Sequence, residues 1–124
     1  MSSVQSDEAL YSLLARAGRA REVPAGEVLF RKGDAGDTMF VLTRGTVSLT
    51  DGEREIEVLA APGLFGEMAL IESAPRALTA TVDGDAELVE IPVRTFWVLV
   101  HETPYFAALV MRVMAERLRQ ASGT

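Results

Sequence analysis

The spacing of apolar residues changes period twice along this chain. After Ser6, Asp7 and Glu8, which read as an N-cap followed by first-turn acids, Leu10, Leu13, Leu14 and Ala17 recur at helical spacing up to Gly18. That predicts a short amphipathic helix over residues 6–18. From Arg21 the period shortens to two, in brief β-prone runs broken by Pro24-Ala25-Gly26, Gly33-Asp34-Ala35-Gly36-Asp37, Arg44-Gly45, Asp51-Gly52, Pro62-Gly63 and Asp83-Gly84-Asp85. Turn signals about every ten residues predict a sandwich or barrel over residues 21–92. Val47 and Leu49 alternate with Thr46, Ser48 and Thr50, Ile56 and Val58 alternate with Glu55 and Glu57, and Asp51-Gly52 between them is a hairpin signal. Beyond Ile91-Pro92 helical spacing returns over residues 93–102 and, after a break at Thr103-Pro104, over residues 105–120. The predicted order is helix, β-roll, helix pair, in a single domain spanning residues 1–124.

In the last helix the apolar residues, among them Phe106, Leu109, Val110, Met111 and Leu118, cover more than one narrow stripe. One face suffices to pack on the roll. A second is then free to form a dimer seam, to dock an effector or to act as a movable lid, against the simpler reading of a well-buried core helix. Arg112, Arg117 and Arg119 suit the negative end of the helix dipole and need no ligand to explain them.

Composition removes several kinds of chemistry. Cysteine is absent and His101 is the single histidine, so disulfides, thiolate metal sites and Ser/His or Cys/His catalysis lack their raw material. One histidine also cannot furnish the ligands of a metal-dependent, cupin-like enzyme, so neither a catalytic nor a metal-binding residue is expected. A net charge of −6 and a pI near 4.8 argue against a nucleic-acid partner, which needs Lys and Arg to displace phosphate counterions. The charge is uneven: residues 1–92 are acidic, with eight basic against sixteen acidic side chains, and residues 93–124 are mildly basic. No apolar stretch reaches the roughly 20 residues of a membrane span, and the N-terminus lacks the basic start of a signal peptide, which predicts a cytoplasmic protein without a membrane partner. Asp83-Gly84-Asp85 reads as a turn, His101 as a surface or interface residue and Trp97 as core or interface packing.

One stretch interrupts the β pattern. Met68 to Ile71 suits a single helical turn launched from Gly66, whose missing Cβ lets backbone approach a ligand, and a helix start directs free N–H groups at an anion. Arg76 follows Pro75 and opens the apolar-rich run Ala77 to Val82. A guanidinium there needs a partner, and its planar fork matches two phosphate oxygens. Glu67, as an ionised carboxylate, can accept hydrogen bonds from a sugar hydroxyl. Each residue alone also has an ordinary reading: Glu67 as a helix-start acid, Gly66 as a turn glycine, Arg76 as one half of a surface ion pair. Together they describe a cyclic phosphate joined to ribose.

Phe65-Gly66-Glu67-Met68-Ala69-Leu70 followed by Ala74-Pro75-Arg76-Ala77 resembles the phosphate-binding cassette of cyclic-nucleotide-binding domains, which occur in protein kinase A regulatory subunits, nucleotide-gated channels and the bacterial catabolite activator. Phe30-Arg31-Lys32-Gly33-Asp34-Ala35-Gly36-Asp37-Thr38-Met39-Phe40-Val41-Leu42, ending in Gly45-Thr46-Val47, is similar to the early strands of that family with their paired glycines. The resemblance covers about residues 20–115. It implies a mainly β fold, an eight-stranded antiparallel, jelly-roll-like β-roll with an N-terminal helix, a short cassette helix and C-terminal helices. It also implies a ligand held by Phe65, Gly66, Glu67, Met68, Ala69, Arg76, Ala77 and Leu78. The cyclic phosphate would meet Arg76 and the amides of Ala69 and Ala77, and Glu67 the ribose 2′-hydroxyl. Alanine at 77 resembles protein kinase A and favours cAMP over cGMP. Leu78 departs from the alanine common in the family, and Arg117, or an aliphatic residue such as Leu118, is the candidate cap on the base.

The expected function is a non-catalytic sensor that binds a cyclic mononucleotide and shifts its C-terminal helices. Because the chain ends soon after the last predicted helix, its output is expected to pass through self-association or an effector protein held by residues 105–120. The alternative is a roll without ligand that serves as a dimerisation or docking scaffold, motivated by Leu78 and the broad apolar helix.

Overall fold

The computed structural model describes the backbone of residues 3–122 and the side chains of residues 8–120. Eight strands form two four-stranded antiparallel sheets. The first carries β1 (Arg19–Val23), β8 (Ala86–Pro92), β3 (Thr38–Arg44) and β6 (Gly63–Phe65) side by side in that order. The second carries β2 (Val28–Phe30), β7 (Thr79–Val82), β4 (Thr46–Asp51) and β5 (Arg54–Ala60). Helices α1 (Ser3–Leu14), α3 (Val93–Glu102) and α4 (Pro104–Ser122) flank the roll, and the short α2 (Glu67–Glu72) is inserted between β6 and β7.

The first sheet is covered on both faces. Along β3, Met39 and Val41 join Ile91, Phe96, Phe106 and Leu109 in a core shared with the helices, while Phe40 and Leu42 join Leu49, Phe65, Val82 and Leu88 between the sheets. This explains why Met39 to Leu42 reads as an unbroken apolar run and not as an alternation.

The helix expected over residues 6–18 is shifted toward the N-terminus, and Ser6 lies inside α1 instead of capping it. Its last turn tightens to three-residue spacing, with Arg16 N–H donating to Leu13 O at 3.1 Å and Ala17 N–H to Leu14 O at 2.9 Å. Gly18 then passes so close to β8 that an added Cβ would collide with the carbonyl of Glu90, and β1 starts at once.

The β4–β5 hairpin turns through Gly52, at φ +63°, and Glu53. Its register pairs Val58 with Ser48 and Glu57 with Leu49, and a bulge then sets Glu55 opposite Thr50. The alternation in β5 is therefore reversed from a simple reading. Ile56 and Val58 are exposed, and Glu57 shares the face of buried Leu49. Among the C-terminal helices, Thr103 separates α3 from α4, Pro104 occupies the first helical position of α4, and the two axes bend by 112°. Among the described residues no single helix is long and apolar enough to cross a membrane.

Candidate functional site

A cavity of about 730 Å³ opens between the second sheet, the α2 segment and the distal half of α4. Its volume lies in the range of small-molecule sites. Gly66, Glu67, Met68 and Ala69 form one wall, Arg76, Ala77 and Leu78 a second, and Met114, Arg117 and Leu118 of α4 overhang it.

Gly66 caps α2 at φ 82°, a left-handed conformation that glycine adopts without strain. A Cβ there would also lie 2.9 Å from Arg76 Nη1. At the other end Ser73, itself left-handed, closes the turn, and Ala74 N–H returns to Ala69 O at 3.0 Å.

Arg76 is only 5% exposed and lies over an aromatic floor. Its Cζ is 4.1 Å from the Phe30 ring centroid and 5.9 Å from that of Phe40, and Phe40 stacks on Phe65 at 5.1 Å. Nη1 donates to Gly66 O at 2.8 Å and Nη2 to Thr38 O. Nε is buried without a partner. Among the described residues no carboxylate forms an ion pair with Arg76. Burial pushes its pKa below the usual arginine value, while Asp37, Asp34 and Glu67 oppose that from a distance. Both terminal nitrogens of the guanidinium are thus engaged by backbone carbonyls, which leaves Nε as the nitrogen without a protein partner.

Glu67 is fully buried. Oε1 accepts a hydrogen bond from Arg117 Nη1, and Oε2 has no partner. Arg117 also donates through Nε to Glu57 Oε1 at 3.1 Å and through Nη2 to Leu64 O at 2.8 Å. The two partners respond differently to enclosure. At Glu67 burial outweighs the attraction of Arg117 and raises the carboxyl pKa; at Arg117 burial is outweighed by Glu67 and Glu57, which hold the guanidinium pKa above its usual value.

The cavity gathers Gly66, Glu67, Met68, Ala69, Arg76, Ala77 and Leu78, seven of the eight residues expected to hold a ligand. Phe65 is the exception: it is wholly buried in the aromatic stack beneath Arg76 and does not reach the cavity wall. Leu78, half-buried, both lines the cavity and packs on the core between the sheets. Arg117, the expected base cap, lines the cavity and is the ion-pair partner of Glu67 and Glu57. Sequence reading did not place Phe30, Thr38 or Glu57 at the site: Phe30 and Thr38 stand in the early-strand motif without a ligand role, Glu57 in no motif, and all three reach the site only through strand register. Asp83 and Asp85 are held by protein donors, Ser48 Oγ at 2.8 Å and Ala25 N–H at 3.1 Å, as turn residues are.

Comparison with known proteins accounts for this geometry. Residues 20–103 match the family model described as cyclic nucleotide-binding domain. The chain belongs to that family. Its relatives in that family include cAMP-dependent protein kinase regulatory subunits. The chain is 36% identical over 104 residues to a cyclic nucleotide-gated potassium channel of Rhizobium etli, covering 84% of this chain and 29% of the channel. It is 31% identical over 106 residues to the cyclic AMP receptor protein of Thermus thermophilus, covering 82% and 49%. It thus spans half or less of these relatives. The fold superposes on the Thermus thermophilus catabolite activator protein with a TM-score of 0.79 at 28% identity, covering 90% of this chain and 55% of that one. A solved chain from a cyclic-GMP-dependent signalling pathway that regulates bacterial phytopathogenesis matches with a TM-score of 0.75 at 29% identity, covering 95% and 94%.

Proposed function

We propose that this cyclic nucleotide-binding domain is a cytoplasmic sensor of a cyclic mononucleotide, with cAMP preferred to cGMP, whose C-terminal helices shift on binding. The observation that carries the reading is a pair of buried atoms without protein partners in two residues that line one cavity: Arg76 Nε, a donor of the guanidinium cation, and Glu67 Oε2, an acceptor. Buried polar atoms rarely lack partners. A molecule that presents an anionic phosphodiester and a neighbouring hydroxyl satisfies both. The cyclic phosphate rests on Arg76 and the amides of Ala69 and Ala77, the ribose 2′-hydroxyl donates to Glu67, and the base extends toward α4. Alanine at 77 and relatives named for cAMP support the base preference, which the cyclic-GMP pathway relative puts to the test.

Titration calorimetry with cAMP and cGMP tests this directly. Arg76→Ala is expected to weaken cAMP binding by roughly 2–5 kcal/mol, because it leaves a desolvated phosphate unpaired; equal affinity in the two proteins removes Arg76 from its role. Glu67→Gln keeps one acceptor oxygen and is expected to cost less than Arg76→Ala. The reverse order would contradict the assignment of phosphate to Arg76 and ribose to Glu67.

A further inference from the structure

We propose that the loop over residues 31–37 is the mechanical link that carries occupancy of Arg76 to the first residue of α3, an inference that rests on the sensor reading above. The loop grips Arg76 through its backbone on both sides, with Gly33 N–H donating to Arg76 O and Arg76 N–H donating to Asp34 O, each at 2.8 Å. The side chain adds a third hold just beyond the loop, where Nη2 donates to Thr38 O. Gly36 lies flush against α2. A Cβ at that position would fall far inside contact distance of Ala69 Cβ and 3.0 Å from Ala74 O. At the end of the same loop Asp37 O accepts the N–H of Val93 at 2.9 Å, one rung past the Thr38–Pro92 pair of the β3–β8 ladder. Within residues 36–38 the chain therefore touches the cassette helix, the side chain of Arg76 and the start of α3.

The charge balance gives this contact a direction. Arg76 holds two carbonyls and, among the described residues, pairs with no carboxylate, and its nitrogen without any partner is Nε. An anion arriving at that edge competes with Thr38 O for the cation, and any movement of Thr38 falls on the adjoining peptide, whose carbonyl holds Val93. The helix pair beyond Val93 is jointed at Thr103 and bent by 112°, and its far end is fastened to Glu67 through Arg117. Both ends of α3–α4 thus meet the cavity, one through the phosphate arginine and one through the ribose glutamate. Coupling of two sites needs an element with two arrangements that both sites bias, and a jointed helix pair held at its two ends has that form.

Val93→Pro isolates the link. Val93 is the first residue of α3, where proline is accepted, and Pro92 already has the φ of −64° and ψ of 156° that a following proline requires. The substitution deletes the N–H that Asp37 holds; Val93→Ala trims the side chain and keeps that N–H. Each protein is titrated with cAMP while heat and the emission of Trp97, on α3, are recorded, with circular dichroism to verify folding. The parent and Val93→Ala are expected to give both heat and an emission change, and Val93→Pro to give heat with the emission change lost. An emission change in Val93→Pro equal to that of Val93→Ala overturns the link. Should Val93→Pro fail to fold, hydrogen exchange on the parent replaces it: exchange of the Val93 amide, which Asp37 O holds, is expected to change when cAMP binds, and an unchanged rate overturns the link. Heat without an emission change in the parent also overturns it alone, whereas no heat in the parent overturns the sensor reading and the link together.

Discussion

At the residue scale the site is governed by one enclosed carboxylate and the two guanidinium groups beside it. Burial raises the Glu67 pKa, and Arg117, which in turn is shared with Glu57, opposes that rise. Removing one member of a buried pair costs about 3–5 kcal/mol, because the remaining charge is left uncompensated. Arg117→Met is therefore expected to destabilise the ligand-free chain by about that amount at neutral pH, as read by urea denaturation. The sign with pH follows from the direction of the shift. Burial raises the Glu67 pKa above its unfolded value, so the group favours the folded state when protonated and loses that contribution as pH rises through the folded pKa. Without Arg117 the folded pKa rises further. The deficit of Arg117→Met should shrink as pH falls from neutrality toward the ordinary glutamate range, and adding Glu67→Gln should remove that pH dependence. A deficit that is constant over this window would mean that Arg117 acts through packing and not through charge.

The elements show how far the sequence could be read. Turn glycines, the hairpin at Gly52, the break at Thr103-Pro104 and the short turn launched from Gly66 are all local signals, and each marks a real boundary in the fold. What local reading could not supply is register. The bulge at the Leu49 and Thr50 pairs places Glu57, not Ile56 or Val58, on the face where α4 crosses β5, and this is how a carboxylate with no motif becomes the second partner of Arg117. The aromatic floor under Arg76 is similar: Phe30, Phe40 and Phe65 come from three separate strands and are 5.1–6.2 Å apart only after both sheets have formed. Arg76 and Glu67 were legible because their cassette is contiguous in sequence; the side chains that hold them were not, because they are remote. The same distinction sets a stability prediction. Gly66→Ala must adopt φ 82° and bring a methyl group to 2.9 Å from Arg76 Nη1, so it is expected to cost about 1–2 kcal/mol from backbone strain alone. Gly26, also at positive φ but with nothing within 4 Å of an added Cβ, is the control: Gly26→Ala should show the backbone cost and leave cAMP affinity unchanged, whereas Gly66→Ala should lower both stability and affinity. Calorimetry and urea denaturation on the two variants separate strain from site damage.

For the whole molecule, the question is how a ligand enclosed by a rigid roll is reported outside it. The roll has little freedom, since its first sheet is buried on both faces and its second is closed over an aromatic core. The C-terminal helices differ. Phe106, Leu109 and Val110 anchor the first turns of α4, whereas beyond Val110 Met111 and Leu118 are 64% and 71% exposed, Val113 and Met114 are only half-buried, and Arg117 ties the helix to Glu57 and Glu67. If α4 exchanges between an arrangement closed over the cavity and one swung away from it, a ligand moves that equilibrium only by its difference in affinity for the two. A base lying under Met114 and Leu118 adds contacts that exist only while α4 overhangs the cavity, so cAMP should favour the closed arrangement. Hydrogen exchange measures this without a partner protein. Amides of residues 111–120 are expected to slow markedly with cAMP, while those of β3 and β8, already in the core, change little. Light scattering on the same samples addresses the exposed face. If the chain is a dimer indifferent to either nucleotide, and residues 111–120 exchange at the same rate with and without cAMP, then α4 is a standing docking surface and the sensor reading fails at the level of output even where the cavity binds its ligand.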